Sequence, residues 1–225
     1  FAGGLTEIMT IEFPSELIVE ASHATAYDAR SNVTDYVTYH GGNLDWLGQD
    51  DGTRSLPALI SSTRVGRGNY TQGQLQNLGR AFSNNWQTKK ATSPMNQSMK
   101  FSLGNTFAIG QALLGSIGSL TYSNTTEIRD LKKNNYTFEG PRYLYDGHTY
   151  NNNVSWSGMI NATLKLRPFH KFSLKNVYNQ NADNETTSYE GAYYYNPDYR
   201  HITSLRYISR SLFSSQLIGE HHLAI

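Results

Sequence analysis

Tyrosine residues cluster in two polar stretches of the sequence. A tyrosine ring presents a flat apolar face and a hydroxyl group, so several together can stack on a sugar or a peptide and bond to its polar groups. The candidate ligand contacts are Tyr143, Tyr145, Tyr150, Tyr193, Tyr194 and Tyr195. The alternative is that these rings pack loop on loop, or form an aromatic girdle where a membrane meets water.

A second group of reactive side chains lies in the stretch 41–57, which is rich in Gly, Asp and Trp. Asp45, Asp50 and Asp51 could bind Ca²⁺ through their carboxylate oxygens. Their spacing lacks the Asp/Asn alternation and the closing Glu of a calcium loop. We therefore predict that they cap turns within the stretch, with Arg54 paired to one of them. We predict no cofactor.

The histidines do not form a recognisable site in the sequence. Glu220 and His222 fall on one face of a predicted strand while His221 points to the other, which leaves a weak two-ligand metal hypothesis. The chain has no cysteine, and no nucleophile, base and orienting residue stand together. We therefore predict no catalytic residues and no enzymatic activity.

Composition limits both the fold and the partners of the chain. Its 19 basic and 18 acidic side chains form no clustered basic face, so we expect no nucleic-acid partner. Hydrophobic residues make up only 38%, and no apolar run approaches the roughly 18 residues that a membrane helix needs. The 16 Tyr and 9 Phe residues favour strands. A membrane β-barrel has such a composition, because only half of the side chains in each strand face lipid.

Alternating apolar and polar residues predict about six strands. They cover residues 17–27, 99–109, 114–126, 154–166, 172–180 and 201–223. In the clearest strand, Val154, Trp156, Ile160 and Leu164 share one face. The last strand has an ambiguous facing, which predicts a bulge near Ser209. Apolar residues at helical spacing predict one short helix, at residues 74–82.

The connections between these strands alternate in length. Long polar stretches at about 28–98, 129–153 and 181–200 alternate with short turns at 110–112 and 167–171. Outer-membrane barrels sort their connections in this way, with short periplasmic turns and long extracellular loops. The sequence therefore predicts an all-β fold, an antiparallel transmembrane β-barrel. Because unpaired sheet edges are not tolerated in lipid, the six strands either close with a missed pair or belong to a larger barrel, which we favour.

Three segments resemble TonB-dependent outer-membrane receptors of the Bacteroidota type. Residues 3–14, a Gly-Gly turn followed by a strand and Phe-Pro, are similar to the end of that family's plug domain. The stretch 41–57 looks like the loop after the family's first barrel strand, and residues 207–221 are similar to a later strand. The resemblance implies that residues 1–15 end a plug domain. Residues 16–225 would then be the N-terminal part of a barrel of about 22 strands.

The resemblance also implies a function and a location. The protein would be a multi-pass protein of the bacterial outer membrane that imports a sugar, a peptide or a metal chelate into the periplasm. Its partners would be outer-membrane lipid, the TonB-ExbB-ExbD energising complex, and a surface lipoprotein or a larger outer-membrane complex.

Two other classes of function stay open at this point. One is a barrel subunit of a surface or secretion complex that transports nothing. The other is a soluble all-β adhesin or sugar-binding module, which predicts that Val154, Trp156, Ile160 and Leu164 are buried in a core.

Overall fold

The chain is mostly antiparallel β-structure. The computed structural model describes residues 11–60, 65, 70–83, 86–166 and 169–222. In chain order the elements are β1 (Ile18–Ala26), β2 (Asp35–Tyr39), a 3₁₀ helix (Asp45–Leu47), α1 (Gln72–Ala81), β3 (Thr88–Thr92), β4 (Asn96–Ile109), β5 (Ala112–Thr137), β6 (Gly140–Leu166), β7 (His170–Tyr193) and β8 (Asp198–His221). Within the described ranges, no helix is long and apolar enough to cross a membrane.

Six strands form one sheet in the order β1-β4-β5-β6-β7-β8, and β2 and β3 form a separate ribbon. β4 pairs with β5 only up to Asn124, which is level with Val154, Ala182 and Ser209 on the next three strands, and β1 pairs with β4 alone. We call the six-stranded part below this level the near half. The far half is the continuation of β5 to β8, which forms two long hairpins. Among the described residues, β1 and β8 are the edges of the sheet.

The predicted strands are present, but their predicted extents were wrong. The stretches 129–153 and 181–200, expected as long loops, are regular strand except for the tight turns at residues 138–139 and 194–197. Alternation of apolar and polar residues was the signal used, and these segments are polar on both faces. Their backbone groups nevertheless pair across the hairpins, so a strand continues without an apolar face.

The stretch 28–98 is partly regular structure rather than a single loop. The predicted helix is confirmed as α1, which begins with a capping box formed by Thr71 and Gln74. The bulge expected near Ser209 was wrong, because β7 and β8 pair in one register from end to end. The register shift lies between Asn135 and Tyr136, beside the tip of the first hairpin. β8 is exposed over most of its length on both faces, and its alternation of apolar and polar residues is weak.

The two faces of the sheet differ in composition. Residues paired across neighbouring strands lie on the same face. We call the face that carries Val154 and Ile160 face A, and the face that carries Asn161 and Thr163 face B.

Face A is apolar and exposed in the near half. Its exposed large side chains come from all six strands and form what we call the apolar band: Val19, Met99, Phe101, Leu103, Phe107, Ile109, Leu120, Ile160, Leu166, Phe172, Leu174, Phe213 and Leu217. From Met99 to Ile109 the band extends about 34 Å along β4, which is about 24 Å in height for a strand tilted by about 45°. Leu113 and Leu212 are exposed on face B instead.

Face B of the near half carries a group of buried polar side chains on its central strands. Ser102, Asn161, Thr163 and Ser173 are between 1% and 6% exposed, and the Thr163 hydroxyl donates to Ser173 Oγ at 3.0 Å. The predicted plug end, residues 1–15, lies largely outside the described residues. Of its described part, Glu12 lies against face B, where it forms ion pairs with Lys171 at 2.9 Å and Lys175 at 3.6 Å.

A single glycine makes room for this segment on face B. A Cβ at Gly115 on β5 would collide with the Glu12 carbonyl oxygen and with the ring of Phe13. Glycine is therefore needed there, because the backbone of residues 12–13 approaches the sheet closely.

Candidate ligand-binding surface

Four tyrosines form a cluster on face B of the far half. The Tyr143 and Tyr145 rings are stacked with their centroids 4.8 Å apart, and Tyr189 lies 5.5 Å from Tyr145. Tyr193 is the cross-strand partner of Tyr143. Tyr145 is only 4% exposed and forms the centre of the cluster, whereas Tyr143, Tyr189 and Tyr193 are half-buried and present ring surface.

Two cations lie over the outer rings of the cluster. The Arg200 guanidinium is 3.7 Å from the centroid of Tyr193, and Lys133 Nζ is 5.2 Å from that of Tyr189. Arg200 also pairs with Asp198 at 2.9 Å, which holds its side chain along β8. Cations over aromatic faces are attracted by the ring quadrupole, so these contacts fix the orientation of the rings.

Two glycines allow the tyrosine rings to lie flat on the strands. Gly147 is the cross-strand partner of Tyr189, and Gly191 that of Tyr145. A Cβ at Gly147 would collide with the Ser188 carbonyl oxygen and the Tyr189 backbone. Each bulky ring therefore stands opposite a residue without a side chain, an arrangement that is typical of aromatic residues covering strand glycines.

The structure brings together only some of the predicted tyrosines. Tyr150 lies on face A, where its ring makes an edge contact with Tyr36 at 5.8 Å. Burial raises the pKa of Tyr36 to about 12, so this pair is neutral and serves packing. Tyr194 and Tyr195 are at the tip of the second hairpin, 51% and 77% exposed, with Tyr195 6.5 Å from Tyr193.

Tyr189, Lys133 and Arg200 belong to the cluster but were not predicted. Tyr189 falls on the same strand face as Tyr193, four residues away, and would have been found had the strand been predicted to continue. Lys133 and Arg200 gave no signal of their own, because their position depends on the hairpin register.

The carboxylates of the stretch 41–57 brace the loop, as predicted. Both oxygens of Asp45 accept from Arg54, at 2.8 and 2.6 Å, and Asp50 lies 3.5 Å from the same guanidinium. Asp51 accepts from the backbone N–H groups of Asn43 and Thr53, at 2.7 and 3.1 Å. The hydroxyl of Thr53, and then these backbone donors, lower the pKa of Asp51 to about 2.

The same stretch lies on face A through the carbonyl groups of its 3₁₀ helix. The Tyr122 hydroxyl donates to the Trp46 carbonyl and the Trp156 indole to the Leu47 carbonyl, both at 2.9 Å. Gln180 and Ser209 both donate to the carbonyl of Gly48, the latter at 2.8 Å. Each of β5 to β8 therefore contributes one side chain that donates a hydrogen bond to a carbonyl group at the end of this helix. Without these donors the carbonyl groups would lack hydrogen-bond partners.

The histidine hypothesis gains no support from the geometry. Glu220 pairs with Lys171 at 2.8 Å, and His222 lies beyond the end of β8. His170 and His221 approach within 3.0 Å through their Nδ1 atoms, and both lie on the opposite face of the sheet from Glu220. In the part of the chain that the structure describes, no three His, Cys, Asp or Glu side chains are grouped to hold a metal ion.

The tyrosine cluster is therefore the surface best suited to hold a ligand. It combines half-buried ring faces with two cations and the carboxylate of Asp198. Such a surface can stack on a sugar ring, a peptide side chain or a planar chelate, and can bond to its polar groups. Compared with known proteins, the chain matches no family model, no curated protein and no solved structure.

Proposed function

We propose that the near half of the sheet crosses the bacterial outer membrane as part of a β-barrel, and that the protein is a TonB-dependent receptor. The observation that carries this proposal is the inverted burial of the two faces. Apolar side chains such as Ile160, which is 69% exposed, face outwards, while polar ones such as Thr163, at 2%, are buried. A barrel in lipid requires this arrangement, with the polar face towards its lumen.

The free energy of hydrophobic burial argues against an apolar band that is exposed to water. Burying a large apolar side chain is worth roughly 1.5–3 kcal/mol, so leaving the band half exposed to water forgoes on the order of 10–20 kcal/mol. A folded domain is stable by only about 5–15 kcal/mol. The height of the band, about 24 Å, is close to the roughly 25 Å of the lipid-facing surface of outer-membrane barrels.

Aromatic residues lie at the far border of the band. Tyr122, Trp156 and Tyr178 belong to face A at this level, and the rings of Trp156 and Tyr178 are 5.0 Å apart. Trp46 from the 3₁₀ helix is 59% exposed at the same level. Tyrosine and tryptophan concentrate where lipid meets water, so this row supports a membrane surface at the boundary between the two halves.

The receptor part of the proposal depends on face B and on the sequence resemblance. The segment of Glu12 and Phe13 lies against face B, as the end of a plug inside a lumen would. The tyrosine cluster is on the same face in the far half. With the far half outside the cell, a ligand held by the cluster would be positioned above the lumen, and the TonB-ExbB-ExbD complex would drive its import.

The burial of face A bears differently on the two alternatives, a soluble module and a barrel subunit that transports nothing. A soluble module predicts a core containing Val154, Trp156, Ile160 and Leu164. Val154 is buried, at 2%, but Ile160 is exposed, and Trp156 and Leu164 are half-buried. A barrel subunit without transport has the same sheet, and it differs from a receptor in having no ligand for the tyrosine cluster.

The membrane part is tested by two neighbouring substitutions on β6. Ile160 on face A and Met159 on face B lie at the same depth, so Ile160→Lys and Met159→Lys differ only in the face that receives the charge. In the full-length protein folded into phospholipid vesicles, we expect Ile160→Lys to lower the unfolding free energy by about 2–4 kcal/mol and Met159→Lys by far less. Equal effects, or recovery of the native protein as a soluble monomer, would overturn the proposal.

The import part is tested at the tyrosine cluster. Tyr143→Ala should reduce the binding of one class in a panel of fluorescent oligosaccharides, peptides and ferric chelates to cells that carry the full-length protein. Tyr199→Ala is the matched control, because Tyr199 is 69% exposed on face A near the same hairpin tip. Binding of no panel member by the native protein would favour the non-transporting subunit.

A further inference from the structure

A pocket of about 310 Å³ lies on face A of the far half, away from the tyrosine cluster. Four separate segments meet there, with Tyr39, Arg54, Leu56, Phe82, Trp86 and Tyr207 among the lining residues. We propose that this pocket binds one uncharged aromatic or branched apolar side chain of a polypeptide partner. The inference goes beyond the proposed function and does not depend on it.

The exposed apolar residues of the wall indicate an apolar occupant. Leu56 is 69% exposed, Trp86 66% and Phe82 43%. Three large apolar side chains converge here without covering one another, although each would gain from burial. Exposed apolar surface gathered around a concavity is typical of interaction sites.

The ion pairs of Arg54 and the residues that line the pocket indicate that the occupant is uncharged. All four Nη hydrogens of Arg54 are used within the protein, because Nη1 faces Asp45 and Asp50 while Nη2 donates to Asp45 and Tyr39. The guanidinium is also stacked over the Tyr207 ring at 3.9 Å. A carboxylate or phosphate would find Arg54 already paired with Asp45 and Asp50, and a cationic group would leave water for a pocket whose described lining residues include no carboxylate.

The size and the rim indicate a side chain rather than a free small molecule. A volume of about 310 Å³ is at the lower limit for small-molecule pockets, and it suits a single anchor group. The rim carries His40, Thr53, Ser55 and Ser83, whose polar atoms can bond to peptide groups beside the anchor. Protein interfaces have this form, with a central anchor pocket inside a wider rim.

The side of the pocket formed by the stretch 41–57 is preorganised. The stretch that supplies Arg54 and Leu56 is held by the Asp45 and Asp51 hydrogen bonds and by the row of donors on β5 to β8. A rigid pocket loses little conformational entropy when it is filled. The loop motif that identifies the family resemblance in the sequence is thus also the part that shapes this pocket.

The probes for the test are capped peptides acetyl-Gly-Xaa-Gly-amide, in which Xaa is Trp, Phe, Leu, Ala, Asp or Lys. Their binding to the full-length protein is measured by saturation-transfer NMR, with free indole and a methyl glycoside as comparison ligands. We expect the Trp, Phe and Leu peptides to bind at least tenfold more tightly than the Ala, Asp and Lys peptides. Free indole should bind at least tenfold more weakly than the Trp peptide, because it lacks the peptide groups for the rim.

Variants at the wall decide whether the binding is at this pocket. Trp86→Ala should weaken binding of the Trp peptide at least tenfold, and Trp86→Phe should restore most of it. Trp46→Ala, which removes an exposed tryptophan outside the pocket, should leave it unchanged. Equal binding of indole and the Trp peptide, preference for the glycoside or a charged peptide, or equal loss in Trp86→Ala and Trp46→Ala would each overturn the proposal.

Discussion

Replacement of Asp45 by Asn tests whether the shape of the stretch 41–57 comes from its own ion pairs. Asp45 binds Arg54 through both oxygens, at 2.8 and 2.6 Å, and accepts from the Gly42 N–H at 3.2 Å. The two paired side chains are only 20% and 21% exposed. An exposed pair contributes about 0.2–1 kcal/mol, and breaking a buried one costs about 3–5 kcal/mol, so we expect a loss of about 2 kcal/mol.

Amide hydrogen exchange of the loop measures this loss directly. A loss of about 2 kcal/mol in local stability corresponds to roughly 30-fold faster exchange of the Gly42, Asn43 and Gly48 amides. Asp50→Asn is the matched control: Asp50 is 3.5 Å from Arg54 and its side chain is 35% exposed, so its loss should change exchange less than about threefold. Similar effects of the two variants would refute the bracing argument. So would slower exchange of the native loop on adding Ca²⁺, because the carboxylates would then hold a cation.

Two further predictions concern the near and far halves. The Lys171 hydrogen bond holds the pKa of Glu12 below its ordinary value of 4.5. The ion pair therefore stabilises the docking of residues 11–13 on face B above that pH. This stabilisation is lost as the pH falls through the lowered pKa. Proteolysis of this segment should therefore increase in acid, and Glu12→Gln should show the higher rate already at pH 7. Gly147→Ala should destabilise the hairpins by about 1–3 kcal/mol in denaturant titration, because its Cβ collides with the Tyr189 backbone. Gly73→Ala, where nothing lies within 4 Å, should instead stabilise α1 by about 0.5–1 kcal/mol, and a comparable loss in both variants would contradict the collision argument.

The near half could be predicted from the sequence because the two sides of its strands differ in polarity. The alternation from Val154 to Leu166 gave the correct faces for Ile160 and Asn161, and the short turn at 110–111 was found between two alternating runs. The carboxylates of the stretch 41–57 were also predicted to cap turns within the stretch. Local spacing was sufficient there, since Asp51 bonds to residues two and eight positions away.

The far half could not be predicted, because its strands are polar on both faces. The positions of the tyrosines depend on strand pairing that extends over more than twenty residues. This pairing places Tyr145 opposite Gly191 on face B, and it places Tyr150 on face A, where its ring contacts Tyr36. The six tyrosines were therefore grouped by composition. Tyr143, Tyr145 and Tyr193 come together in the cluster, and Tyr195 makes an edge contact with Tyr193 from the hairpin tip. The pocket at Trp86 was missed for a related reason, since its walls come from segments more than 100 residues apart.

The burial of face A changes from high to low at the boundary between the two halves. Below it, Ile160 is 69% exposed; above it, Val154 is 2% exposed because the glycine-containing loop at Gly48 lies against it. Trp156 stands between them, with its indole nitrogen bonded to the Leu47 carbonyl and its ring beside Tyr178. Within six residues, face A of β6 therefore changes from a surface that is covered by protein to one that is exposed. The stretch 41–57 covers face A only as far as the level of Tyr122, Trp156 and Tyr178. A loop is expected to stop at this level if lipid covers the remainder of the same face.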